Sequence, residues 1–161
     1  MSEAWDSFFV AETAAAAALL GLLFVAFSIN LKQVIESAGL ADRALGALLL
    51  LLAILILGLL LSMPDQPLSF LAGETAVVSV IAGVIGLMLG LRGLRAADPR
   101  YRGNFIQNIV TGIFVLAPIL IGGLLMFGGG EAGFYWIGAG MCLCLIKAVS
   151  EGWIFLVEIN R

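Results

Sequence analysis

The sequence predicts an all-α membrane protein of five transmembrane helices, and three observations carry that prediction. Of 161 residues, 62% are hydrophobic and only 12% are charged, where a soluble domain carries roughly 25% charge. The apolar runs are far longer than the ~10 residues of a barrel strand and do not alternate. Between them lie breaks such as Pro64-Asp-Gln-Pro67 and Gly128-Gly-Gly130. A chain this apolar has the bilayer as its solvent, and hydrocarbon admits only structures that satisfy their own backbone hydrogen bonds. Helices are the form left.

The expected spans are residues 8–30, 43–63, 70–91, 104–127 and 132–157, forming a single transmembrane domain. Span one carries an alanine run and Gly21, with Ala14/Ala18 and Ala17/Gly21 at small-xxx-small spacing, which lets helix backbones approach closely in lipid. The linker after it, with Lys32, Glu36 and Asp42, is amphipathic. Span two has no polar residue for about five turns, so broad lipid contact is expected of it. Prolines 64 and 67 end it in a tight turn. Span three offers Gly86 and Gly90 as a GxxxG seam, and a loop with Arg92, Arg95, Arg100 and Arg102 is expected to follow. Span four places Asn104, Asn108, Thr111, Val115, Pro118 and Gly122 on one stripe, with Pro118 removing a backbone bond in mid-helix. Span five places Gly140, Cys144, Lys147, Glu151 and Glu158 on one stripe. The other four spans form a bundle around it.

Basic residues bracket the first and third loops, and the N-terminus, second and fourth loops hold none. The positive-inside rule then sets the N-terminus outside and the C-terminus inside. Trp5, Trp136, Trp153, Tyr101 and Tyr135 fall near the expected interfaces as an anchoring belt. The acidic start MSEAWDSFF lacks the basic segment of a secretory signal, so none is expected.

Several chemistries are excluded. Histidine is absent, which argues against His-ligated haem, His-based zinc and a Ser-His relay. Cys142 and Cys144 are two apart on one helix and point to different sides. They read as small apolar filler, with no metal or cofactor expected. No HExxH, GxSxG or GxxxxGK pattern occurs, and the loops are too short for a catalytic domain, so no enzyme and no nucleic-acid partner is expected.

SFFVAETA from Ser7 aligns without gaps on SFLAGETA from Ser69, matching five of eight residues. This points to a tandem two-helix repeat. Low-complexity apolar sequence also produces such matches by chance. The repeat would set Glu12 and Glu74 at equivalent outer depth. Two readings of these acids stand: dipole partners at helix N-termini, or carboxylates that concentrate cations at a pore mouth.

A second polar set falls in the inner half: Asn108, Thr111, Lys147 and Glu151. A lysine in mid-membrane costs a few kcal/mol unless it is paired or lines water. Again two readings stand. One is a self-contained Lys147–Glu151 pair, four residues apart, with Asn108 and Thr111 as hydrogen-bond partners. The other is a proton or ion relay.

The string ALLGLLFVAFSINLKQVI in span one resembles the first span of small uncharacterised bacterial multi-pass membrane proteins. The resemblance implies a bacterial inner membrane and carries no functional residue. The expected function is an oligomeric channel or transport protein for cations or protons. The alternative is a non-catalytic accessory, assembly or regulatory subunit of a larger membrane complex.

Overall fold

A computed structural model describes residues 3–32, 39–96 and 102–159. Glu36, Arg100, Tyr101 and Arg161 lie outside the described residues, as do the side chains of Glu3 and Glu158. The described residues form five helices, each long and apolar enough to cross a membrane. They are α1 (Glu3–Ile29), α2 (Leu40–Leu61), α3 (Leu68–Ala96), α4 (Arg102–Phe127) and α5 (Ala132–Ile159).

The helices outrun the expected spans at several ends. At 29 residues, α3 is about 43 Å long, against about 30 Å of hydrocarbon. Arg92 and Arg95 therefore stand exposed on its last turns and not in a loop. Cations are favoured there, at the negative end of the helix dipole. α4 stays helical through Pro118.

Contacts along the helices show that they alternate in direction. Thr13 near the start of α1 meets Gly58 near the end of α2, and Gly93 near the end of α3 meets Phe105 near the start of α4. Phe27 and Phe155 stack their edges at the ends of α1 and α5, with ring centroids 4.5 Å apart. α3 packs on α4, α4 on α5, and α1 on both α2 and α5, while α2 touches α1, α3 and α5. The alternation collects Lys32, Arg43, Arg92, Arg95 and Arg102 at one end of the bundle, here the basic end. Asp6, Asp65 and Glu131 collect at the other, the acidic end.

The centre of the bundle differs from the expected one. Half of the most apolar window of α2 is buried, the largest share among the five helices. Leu51, Ile54, Leu57 and Leu61 are sealed in the core beside Ile119, Ile137 and Met141. The reason is physical. Lipid tails are as apolar as leucine, so a helix that is apolar all round suits a lipid neighbour and a protein neighbour equally.

Small residues show the reverse. Ala14, Ala17, Ala18 and Gly21 face outward from α1, and only Ala16 of that run is fully buried. In α3, Gly90 abuts Ile109, but a Cβ at Gly86 would meet nothing within 4 Å. The closest backbone approach lies between α4 and α5. A Cβ on Gly122 would stand 2.6 Å from the Gly133 carbonyl oxygen and 2.9 Å from the Ile137 nitrogen. Only glycine allows this contact.

Substituting Gly122→Val should lower the thermal midpoint of the detergent-solubilised protein, at a cost of about 1–3 kcal/mol for forced overpacking. Gly83→Ala should leave the midpoint unchanged or raise it slightly, since its Cβ meets nothing within 4 Å.

Candidate functional site

The two polar stripes read from spans four and five face one another. Packing at Gly122 and Gly140 fixes the register of α4 against α5, and this sets Asn108 and Thr111 opposite Lys147. The Lys147 ammonium donates to Asn108 Oδ1 at 2.5 Å, to Thr111 Oγ1 at 3.0 Å and to Glu151 Oε1 at 3.0 Å. Its three N–H groups thus have three acceptors. Thr111 Oγ1 in turn donates to the Asn108 carbonyl at 3.0 Å.

The structure adds a residue that the sequence did not assign to the site. Arg43, in the first turns of α2, donates through Nη2 to Glu151 Oε2 at 2.9 Å and through Nε to the same oxygen at 3.2 Å. One carboxylate is thus shared by two cations, one oxygen each. The side chains of Arg43, Lys147 and Glu151 are 15%, 10% and 12% exposed, so the cluster sits largely out of water. The sequence marks Arg43 only as a cation at a loop boundary. Its one further signal is its place at a helix N-terminus, where the dipole disfavours positive charge. The partner that offsets this lies 108 residues away.

The cluster borders a cavity of about 360 Å³ between α2, α3, α4 and α5. Gly46 and Leu50 of α2, Gly83 and Gly86 of α3 and Leu116 of α4 line its apolar part, and Asp42, Arg43, Asn108, Lys147 and Glu151 supply the polar part. The unfilled space before Gly83 and Gly86 is the reason these glycines make no close contact. Charges at the rim of such a space are drawn together, because unpaired charge in a low dielectric costs several kcal/mol.

Glu12 and Glu74 do not join this cluster. Glu12 is buried, at 7% exposure. The Cys142 thiol donates to its Oε1 at 2.9 Å, and its Oε2 has no partner among the described residues. Cys142 is therefore a hydrogen-bond donor as well as filler. Cys144 is buried and donates to the Val115 carbonyl at 3.5 Å, in the turn that Pro118 disturbs. Glu74 is half-buried, and both its oxygens accept from Gln66 Nε2 at 3.3 Å. Among the described residues no contact joins Glu12 to Glu74, and no group of three His, Cys, Asp or Glu side chains converges as a metal site. Cys142 precedes Lys147 by about 8 Å along the α5 axis, so the Glu12 contact and the Glu151 cluster form two separate layers.

The aromatic residues at the acidic end split in two. Trp5 packs against Phe8, Phe9, Phe134 and Tyr135 with ring centroids 4.8–5.8 Å apart, which ties α1 to α5. Trp136 at that end faces outward, as does Trp153 toward the basic end.

Removing Glu151 takes the shared carboxylate from both Arg43 and Lys147 and leaves Lys147 on neutral oxygens alone, whereas removing Lys147 leaves Glu151 still bound to Arg43. Glu151→Leu should therefore destabilise by about 3–5 kcal/mol, and Lys147→Met by clearly less. Reversible unfolding in mixed micelles, read by helical circular dichroism, gives the comparison.

Set against family models, curated proteins and solved structures, the chain matches none of them.

Proposed function

We propose that the protein is an integral membrane transport protein for cations or protons, with the Arg43–Glu151–Lys147 cluster as its intramembrane step. The observation that carries this reading is that Lys147 has two kinds of partner: the charged Glu151 and the neutral oxygens of Asn108 and Thr111. When a proton or a cation takes Glu151 Oε1, the ammonium keeps two acceptors and is not left bare. A carboxylate can thus change its occupant at small cost inside a low-dielectric bundle, which a simple ion pair does not allow. Ionisable groups at membrane depth that border a cavity are the usual material of relays and ion paths.

The reading extends to orientation, assembly and location. The positive-inside rule sets the basic end in the cytoplasm, with the N-terminus outside and the C-terminus inside. The acids of the opposite end, with Glu12 and Glu74 below them, then raise the local cation concentration on the outer side. The tandem match between the segments at Ser7 and Ser69 fits a duplicated helix pair. Small residues on the outward face of α1, Ala14, Ala18 and Gly21 among them, suit close packing against a second copy. The resemblance of span one supports a bacterial inner membrane.

The same α1 face also favours a second reading, an accessory subunit of a larger membrane complex. Native mass measurement after mild extraction separates the two. A pure homo-oligomer supports the transport protein, and a stoichiometric foreign chain supports the subunit.

Proteoliposomes loaded with a pH-sensitive dye test the transport reading. The wild type should dissipate an imposed proton or cation gradient, and Glu151→Gln should lower that rate by at least about tenfold, a loss of roughly 1.4 kcal/mol. A well-reconstituted wild type with no flux overturns the reading.

A further inference from the structure

The cavity beside the cluster has a shape and chemistry that proton or ion movement does not use. Its volume, about 360 Å³, lies at the small end of the ~300–1,000 Å³ typical of ligand pockets. Its apolar part follows α3 from Ser79 to Gly90, about 16 Å along the helix axis. Glycines keep it open: a Cβ at Gly46, Gly83 or Gly86 would meet nothing within 4 Å. One end is polar and holds charges of both signs. Beside Asp42 and the Arg43–Glu151 pair, Lys147 stands there with its ammonium on Glu151 and on two neutral oxygens, and the Asn108 amide nitrogen has no protein partner among the described residues. The orientation of that amide follows from Lys147, which requires the oxygen.

We propose that this cavity binds one long-chain fatty acid, its carboxylate on Lys147 and Asn108 and its chain along the glycine-lined wall of α3. The incoming carboxylate takes the place of a neutral oxygen on Lys147, exchanging an ion–dipole contact for one between opposite charges, and gains the Asn108 amide N–H. The volume suits one acyl chain. A carboxylic acid reaches this depth in its neutral form, whereas a phosphodiester head stays charged and bears the full cost of entering hydrocarbon. The site does not depend on the transport reading, because occupancy involves no flux.

The test uses the full-length protein in phosphatidylcholine vesicles with a palmitate that carries a photoreactive diazirine in its tail. Crosslinked residues are mapped by peptide mass spectrometry, with competition by excess palmitate, palmitate methyl ester or phosphatidylglycerol. Saturable labelling within residues 46–50 and 79–90, displaced by palmitate alone, supports the site. Gly86→Leu fills the cavity and should cut this labelling about tenfold while the thermal midpoint holds. Lys147→Met should abolish the preference for palmitate over its ester. Labelling spread over the outward faces of α1 and α3 overturns the proposal, as does equal displacement by the ester or by phosphatidylglycerol, or full labelling of Gly86→Leu. Labelling with no flux would retain this site and discard the transport reading, and flux with no labelling would do the reverse.

Discussion

Buried charge has to be paired, and in this protein a single carboxylate does most of the pairing. Glu151 holds Arg43 through one oxygen and Lys147 through the other, and so binds the start of α2 to the last third of α5. Lys147 extends the connection to Asn108 and Thr111 of α4. Three helices that otherwise meet through apolar and small residues thus share one polar knot. Van der Waals packing holds helices together in lipid but discriminates weakly between registers. A buried charge network discriminates strongly, because a shifted register leaves an ion without a partner.

The rest of the bundle is arranged about that knot. Gly122 and Gly140 bring α4 and α5 to backbone contact, which is what lets short side chains such as Thr111 reach Lys147. The apolar α2 fills the centre and delivers Arg43 at its first turns. α3 joins α4 along Gly90, Gly93 and Gly123, and the cavity is the gap it leaves opposite Gly46 and Leu50 of α2. The Glu12–Cys142 contact lies in a separate layer toward the acidic end, with the thiol as the sole donor to the carboxylate among the described residues.

Much of this was legible in the sequence, and the reasons differ by residue. Five spans follow from run length and composition alone. The stripes Asn108–Thr111 and Lys147–Glu151 were legible because helical periodicity puts residues four apart on one face, and polar residues in hydrocarbon must face inward. The role of Arg43 was not legible, since it depends on a contact between residues far apart in the chain. The burial of α2 was hidden for a different reason: hydropathy measures affinity for an apolar medium, and protein and lipid are both apolar. Small-xxx-small spacing misdirected for a related cause. It marks where a helix can approach closely, and Ala14, Ala18 and Gly21 face outward from the bundle instead.

The central claim is that Glu151 couples α2 to α5 across the bundle, and a double-mutant cycle on Arg43 and Glu151 tests it most directly. Unfolding free energies would be measured in mixed micelles for the wild type, Arg43→Met, Glu151→Gln and the double variant. The account predicts a coupling energy between about 1 and 3 kcal/mol, as befits a contacting and largely buried pair. Single effects that add to within about 0.5 kcal/mol would contradict it.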